Sequence, residues 1–267
     1  MPIWLAIVIL GVIEGITEFL PVSSTGHLLI AEHVGLPRQS DLFNIVIQSG
    51  AVLAVIPLFW GRIEKFLTRW HDPVVFSQLM KVIVAFVITG AGGFILEKKG
   101  WKLPENLQPV AIALLVGGVV FLVVEQWLKG KKLGKEVTWA IALAVAVGQL
   151  IAAVYPGASR SGTTIMFALV LGLNRVEATE FSFLVGIPTM LAAGGYKIFK
   201  AFHHPVVPVH EDWNMLILAT IVSGIVSFIA VKWLLQFVKS HTFQGFGWYR
   251  IAVGGAVLIL MAMKVMN

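Results

Sequence analysis

Residues 14–27 read EGITEFLPVSSTGH, and the reading of that passage decides how the chain folds. Glu14 and Glu18 stand four apart in a run otherwise made largely of Ile, Val, Leu and Phe. Pro21, three hydroxyls (Ser23, Ser24, Thr25), Gly26 and His27 follow at once. The apolar stretch 2–20 thus runs straight into a proline and a polar cluster. The segment after it, 28–36, is too short to cross about 30 Å of hydrocarbon. Together they read as a re-entrant helix hairpin. Its irregular bend is tolerated at membrane depth only where it lines a protein cavity.

The same arrangement returns in the second half of the chain. The apolar stretch 137–155 meets PGASRSG at 156–162, and a short segment, 163–173, follows. Ser23-Ser-Thr-Gly26 lies over Ser159-Arg-Ser-Gly162, and Gly35-Leu-Pro-Arg38 over Gly172-Leu-Asn-Arg175, at offsets of 136 and 137 residues. A duplication accounts for several matches at one offset.

Around these hairpins the chain is written for lipid. It has 267 residues, 58% hydrophobic and 13% charged, with a mean hydropathy of +0.88. A soluble domain carries roughly 25% charge. Apolar stretches at 42–60, 79–96, 109–128, 180–199, 213–231 and 249–265 are long enough to span. Trp60, Trp70, Trp101, Trp127, Trp213, Trp233 and Trp248 gather near their ends, as interfacial belts do. The expected fold is an all-α polytopic membrane protein forming one integral membrane domain. Residues 1–136 make a first repeat, with a re-entrant hairpin over about 2–36 and three transmembrane helices. Residues 137–267 make a second, with a hairpin over about 137–173 and three more. Three crossings per half is an odd number, so the second repeat enters inverted and the hairpins approach the midplane from opposite faces.

Charge sets the orientation. One side collects Arg62, Lys65, Arg69, Lys81, Lys129, Lys131, Lys132, Lys135, Arg175, Lys232, Lys239 and Arg250, twelve in all, against seven on the other, Arg38, Lys98, Lys99, Lys102, Lys197, Lys200 and Lys264. The richer side is expected in the cytoplasm, with both termini outside. The formal charge of +6 is this loop bias, with no basic stripe or base-stacking platform to take nucleic acid. There is no cysteine, which excludes disulfides and thiolate-held metals. No Lys or Arg precedes Arg38, and two glutamates fall where a signal's apolar core would be, so the start is not read as a cleavable signal.

Intramembrane carboxylates are costly and mark sites by default. At i and i+4, Glu14 and Glu18 share a helix face, and such a pair can hold a hard divalent cation or supply an acid or base. Capping explains one of the hydroxyls Ser23, Ser24 and Thr25, not all three. The helix starts at Ser24 and near Ser159 and Ser161 offer free N–H groups to an anion. Arg160 needs an anion at depth, either one of the glutamates or a substrate phosphate. His27 joins this group as a base, an acid or a nucleophile. His33, Glu32, Gln48, Glu125 and Gln149 are weaker candidates; His71, His203, His204, His210 and His241 read as solvated.

EGITEFLPVSSTGH together with PGASRSG resembles the undecaprenyl-diphosphate phosphatase family of the bacitracin-resistance type, in motif order and spacing, and the repeat carries the likeness over essentially the whole chain. The resemblance implies a multi-pass bacterial inner-membrane enzyme that hydrolyses undecaprenyl diphosphate to the monophosphate, the lipid carrier for cell-wall synthesis. Its site, expected to open to the periplasm, falls on Glu14, Glu18, Ser24, His27 and Arg160 as catalytic residues. Ser23, Thr25, Gly26, Ser159, Ser161 and Gly162 line the substrate, and Glu14 and Glu18 hold a divalent cation, Mg²⁺ or Ca²⁺. The partners implied are the polyprenyl diphosphate and membrane lipids, not nucleic acid, and an oligomer is left open. Likeness to the acid-phosphatase type of lipid phosphatase fails at Met166, where that family's histidine would stand. Attack by Ser24 with His27 handling the proton is the leading reading; attack by His27 or by water stays open. The rival is a polyprenyl-phosphate transporter or flippase with the same anion site.

Overall fold

Two pairs of local signals cut the chain where the matched motifs stand. Ser23 and Ser159 cap the helices that follow them, each hydroxyl accepting from the backbone N–H three residues on, Gly26 at 3.3 Å and Gly162 at 3.2 Å. Gly35 and Gly172 then end those helices in a left-handed conformation, φ 109° and 90°. The N–H of Leu36 reaches back to Ala31 and that of Leu173 to Ala168, which is the Schellman closure. The internal matches are therefore start and stop signals for two short helices.

The computed structural model describes residues 1–100, 106–203 and 212–265. Trp101, Lys102, His204 and His210, assigned above to interfaces and loops, lie outside them. The described residues form eleven α-helices. They are α1 (Ile3–Thr17), α2 (Ser24–His33), α3 (Asp41–Val55), α4 (Trp60–Thr68), α5 (Pro73–Lys98) and α6 (Leu107–Leu128). The second half gives α7 (Trp139–Val154), α8 (Arg160–Val170), α9 (Arg175–His203), α10 (Trp213–Phe237) and α11 (Gln244–Ala262). A single 3₁₀ turn, Ile56–Phe59, joins α3 to α4 where Pro57 lacks its N–H. Six helices are long and apolar enough to cross a membrane, with α3 and α4 counted as one over Asp41–Thr68. They fall on the six expected stretches. The chain is a multi-pass membrane protein.

Its outer surface is apolar. On α10 the residues Ile217, Ile221, Ile225 and Ile229 recur every fourth position and are all more than half exposed, a stripe that only lipid satisfies. Trp60, Trp70, Trp127, Trp213, Trp233 and Trp248 are likewise exposed near helix ends.

Inside, small residues let backbones approach. A Cβ on Gly11 or Gly15 of α1 would meet the carbonyls of Ala219 and Ser223 on α10 at 2.8 and 2.7 Å. On Gly118 of α6 it would meet that of Gly247 on α11 at 2.6 Å. Without a hydrophobic force between helices in lipid, such close seams carry the association. The contacts of the two halves are reciprocal: α1 packs on α10 as α7 packs on α5, and α3 on α10 as α9 on α5. α3 meets α9, and α6 meets α11, across the middle.

The charge count needs two corrections. Lys81 on α5 and Arg250 on α11 are buried, so they belong to the interior and not to loops, which leaves ten residues from the twelve. Arg250, six residues into an apolar helix, has its side chain turned inward.

Candidate active site

Both bends carry strain. Ser23 and Ser159 have φ of 77° and 69°, left-handed values that a residue with a Cβ takes only when its surroundings impose them. The bends touch: Ser161 Oγ donates to the Leu20 carbonyl at 3.1 Å and lies 3.2 Å from Ser159 Oγ.

Between them lies the acidic pair. Glu14 and Glu18 are 2% and 7% exposed, on one face of α1 and the turn after it. Ser24 Oγ donates to Glu18 Oε2 at 2.5 Å, and Gln48 Nε2 from α3 donates to the same oxygen at 3.1 Å. The other oxygen, Oε1, takes Arg160 Nη2 at 3.1 Å. One carboxylate thus joins a hydroxyl from the first hairpin to a guanidinium from the second. Of the two ways to satisfy Arg160, the structure shows the ion pair with Glu18.

That pair does not exhaust the guanidinium. Nη2 also contacts Met190 Sδ at 2.6 Å and the group lies over the Phe19 ring, 5.7 Å from its centroid. Nε and Nη1 are buried without a hydrogen-bond partner. An unpaired buried donor costs about 1–3 kcal/mol, more when charged. Gly186 on α9 makes the berth: a Cβ there would meet Arg160 Cζ at 3.0 Å.

His27 faces elsewhere. Its Nδ1 lies 2.8 Å from the Ser23 carbonyl, its Nε2 2.7 Å from the Tyr249 hydroxyl, and its ring stacks on Tyr249 with 6° between planes. In the structure His27 and the Ser24 hydroxyl have separate partners. The hydroxyl is on Glu18, because α2 turns position 24 toward α1 and position 27 toward α11.

Two contributors were missed. Arg250 gives its guanidinium to the carbonyls of Pro21, Gly157 and Ala158, and to Ala113 and Leu114 on α6, at 3.1 to 3.4 Å. It fastens both bends at once. An arginine inside an apolar span was signal enough to single it out. Tyr249, its neighbour, carried no signal of its own. Of the weaker candidates, Gln48 joins the site. Gln149 donates to Thr89 at 3.0 Å, and Glu125 pairs with Arg175 and accepts from the Phe243 N–H at 2.8 Å. Those two glue helices. Thr25 and His33 are exposed, while Ser161 and Gly162 are packed into the bend.

An apolar groove of about 610 Å³ runs between α6, α7 and α8, lined by Ile112, Val116, Val120, Phe121, Ile151, Tyr155, Met166 and Phe167 and reaching Ala158, Gly162 and Thr163 at the second bend. Ile112, Val116 and Val120 also stand on the exposed face of α6.

Comparison with known proteins agrees in extent with the residues just described. The profile of the family described as "Bacitracin resistance protein BacA" matches residues 7–256. A protein named undecaprenyl-diphosphatase from Rhizobium etli is 50% identical over 254 residues, 94% of this chain and 94% of its own. Those of Xylella fastidiosa and Xanthomonas oryzae are each 47% identical, over 250 and 253 residues, covering 93% and 94% of this chain and 95% and 94% of theirs. Since profile and relatives alike cover α1 through most of α11, the hairpins and the acid–hydroxyl–arginine contact between them included, the chain belongs to the bacitracin resistance protein BacA family.

Proposed function

We propose that the chain is an undecaprenyl-diphosphate phosphatase, a membrane hydrolase that returns the lipid carrier to cell-wall synthesis and thereby confers bacitracin resistance. The observation that carries this reading is the contact of Ser24 Oγ with Glu18 beside an arginine holding two unpartnered N–H groups. Ser24 Oγ attacks the terminal phosphorus as its proton passes to Glu18. The bond from that phosphorus to the bridging oxygen breaks, and undecaprenyl phosphate leaves. Water then cleaves the phosphoserine and frees phosphate. Arg160 and the first-turn amides of α2 and α8 meet the charge on the phosphoryl oxygens. The apolar groove offers room for part of the polyprenyl chain, in the size range of ligand cavities.

The donors suit a hard cation. Glu14 and Glu18, one helical turn apart, are two buried carboxyl groups, and Ser24 Oγ lies on the second. Mg²⁺ completes its shell with phosphate oxygens and water more often than with a protein cage, and among the described residues no larger His/Asp/Glu group forms one. When bound, such an ion would neutralise charge on the diphosphate.

The reciprocal packing of α1–α6 and α7–α11 supports two inverted repeats, 1–136 and 137–267, each with a re-entrant hairpin. The sidedness follows from charge: Arg62, Lys129 to Lys135 and Arg175 inside, termini outside, site open to the periplasm. The same packing suits a polyprenyl-phosphate transporter, but binding alone has no use for a hydroxyl held on a carboxylate.

Purified protein in detergent, given a polyprenyl diphosphate, should release inorganic phosphate, lose that activity in excess chelator and regain it with Mg²⁺ or Ca²⁺. No release under any metal would overturn the enzyme reading in favour of transport. Full release in chelator would remove the cation.

A further inference from the structure

We infer that Tyr249 is the positioning residue for His27, fixing the imidazole in the tautomer that keeps Nε2 unprotonated. The Ser23 carbonyl only accepts, so at 2.8 Å from it Nδ1 carries the hydrogen. In a neutral imidazole the other nitrogen is then an acceptor, and the Tyr249 hydroxyl, 2.7 Å away, donates to it. Two bonds at opposite ends of the ring and a parallel stack at 5.6 Å define both its plane and its protonation.

The placement of Tyr249 is rigid where it matters. Arg250, the next residue, is fully buried and tied to the carbonyls of both bends, and Gly247 and Gly254 bring α11 against α6. Tyr249 as a whole meanwhile stays 44% exposed.

The repeat separates use from architecture. VGGAV at 253–257 lies over VGGVV at 116–120, again at an offset of 137, which sets Tyr249 over Ile112. At the hairpin offset of 136, His27 stands over Thr163. A contact needed to hold a hairpin on its neighbouring helix would be wanted in both halves. The histidine of the first half and the tyrosine of the second instead meet beside the hairpin that carries the carboxylates, and at the matching place by the second hairpin, Thr163 and Ile112, both are missing. A basic ring nitrogen at the edge of a phosphoryl-transfer site can take up or return a proton, and its direction depends on the hydroxyl that holds it.

The inference rests on the phosphatase reading for the use made of His27, and its test has a readout apart from turnover. Full-length protein labelled with ¹⁵N-histidine in detergent, with the His27 signal assigned through His27→Gln, should show His27 as the Nδ1–H tautomer. Tyr249→Phe keeps the stacked ring and removes only the hydroxyl. In that variant the His27 Nε2 signal should shift, and kcat should fall about three- to tenfold, the worth of one hydrogen bond, with KM unchanged. In a His27→Gln background the same change should cost nothing further. A wild-type Nε2–H tautomer, an unmoved His27 signal in Tyr249→Phe, or an equal loss of rate in both backgrounds would each overturn the assignment. If the wild-type protein releases no phosphate, the enzyme reading fails and the tautomer spectra alone decide this one.

Discussion

Glu18→Gln tests the centre of the site with almost no change of shape. The carboxylate holds three groups: Ser24 Oγ at 2.5 Å and Gln48 Nε2 at 3.1 Å on one oxygen, and Arg160 Nη2 at 3.1 Å on the other. An amide can keep one oxygen toward two of these donors but turns an NH₂ group on the third, and it cannot take the Ser24 proton. Loss of a general base costs about 10² to 10⁴ in rate. At about 1.4 kcal/mol per tenfold that is roughly 3 to 5 kcal/mol of transition-state stabilisation. The ground state suffers separately, because Arg160 loses its counter-charge with only 15% of its side chain exposed. Breaking a buried pair from one side costs roughly 3 to 5 kcal/mol in full burial. With that exposure and the Met190 contact kept, about 2 kcal/mol is expected, read as a lower Tm in detergent. The two losses can be pulled apart. Arg160→Met in the Glu18→Gln background should restore thermal stability and leave phosphate release as low as before. Because the lone arginine of Glu18→Gln then has only the substrate's phosphate for a partner, KM should not rise in that single variant. A Glu18→Gln protein that turns over polyprenyl diphosphate within tenfold of wild type would refute the assignment of Glu18 to the Ser24 proton.

Other perturbations probe the frame. Gly186→Ala pushes a methyl into the Arg160 berth, where a Cβ would meet Cζ at 3.0 Å, and misplacing that group by about 1 Å should lower kcat about 10²-fold without changing the fold; an unaffected kcat would show that the berth gives way. Arg250→Met strips the carbonyls of Pro21, Gly157 and Ala158 of their shared donor and should cost about 3 kcal/mol or more, measured as thermal unfolding in detergent, with activity lost along with the bends; an unchanged Tm would remove the fastening role. Single cysteines introduced into a chain that has none should label from the cytoplasmic side at positions 65 and 131 and from outside at position 97, and the reverse pattern would invert the proposed topology.

The spans were legible because lipid imposes one simple rule, about twenty apolar residues, and the six long helices obey it. The hairpins were legible for a different reason. Ser23 and Ser159, Gly35 and Gly172 are stop and start signals that act within six residues, so they appear in sequence as short motifs. What could not be read is which way a side chain turns once helices from distant parts of the chain surround it. Ser24 and His27 lie three apart, close enough to suggest a pair, yet one meets α1 and the other α11. Arg250 looked like a loop charge because its partners are backbone carbonyls, which carry no residue signature. Met190 and Gly186 matter only through the volume they leave around Arg160.

On the proposed repeat, the two halves explain why the described residues hold one such centre and not two. With Pro21 laid over Pro156, Glu14 falls on Gln149 and Glu18 on Ala153; past the bend, Ser24 falls on Arg160. Had the copies stayed alike, the two bends, which touch through Ser161 and Leu20, would bring like charge to like charge. Two carboxylates at 4 Å repel by about 4 kcal/mol at an effective dielectric near 20, and two guanidinium groups by as much. Divergence turns that repulsion into attraction. The first hairpin holds the acids and the hydroxyl, the second holds the cation, and the Arg160–Glu18 pair joins the two bends. On the proposed phosphatase reading, a ligand phosphate entering there would compete with Glu18 for Arg160 and leave the carboxylate free for the hydroxyl already resting on it.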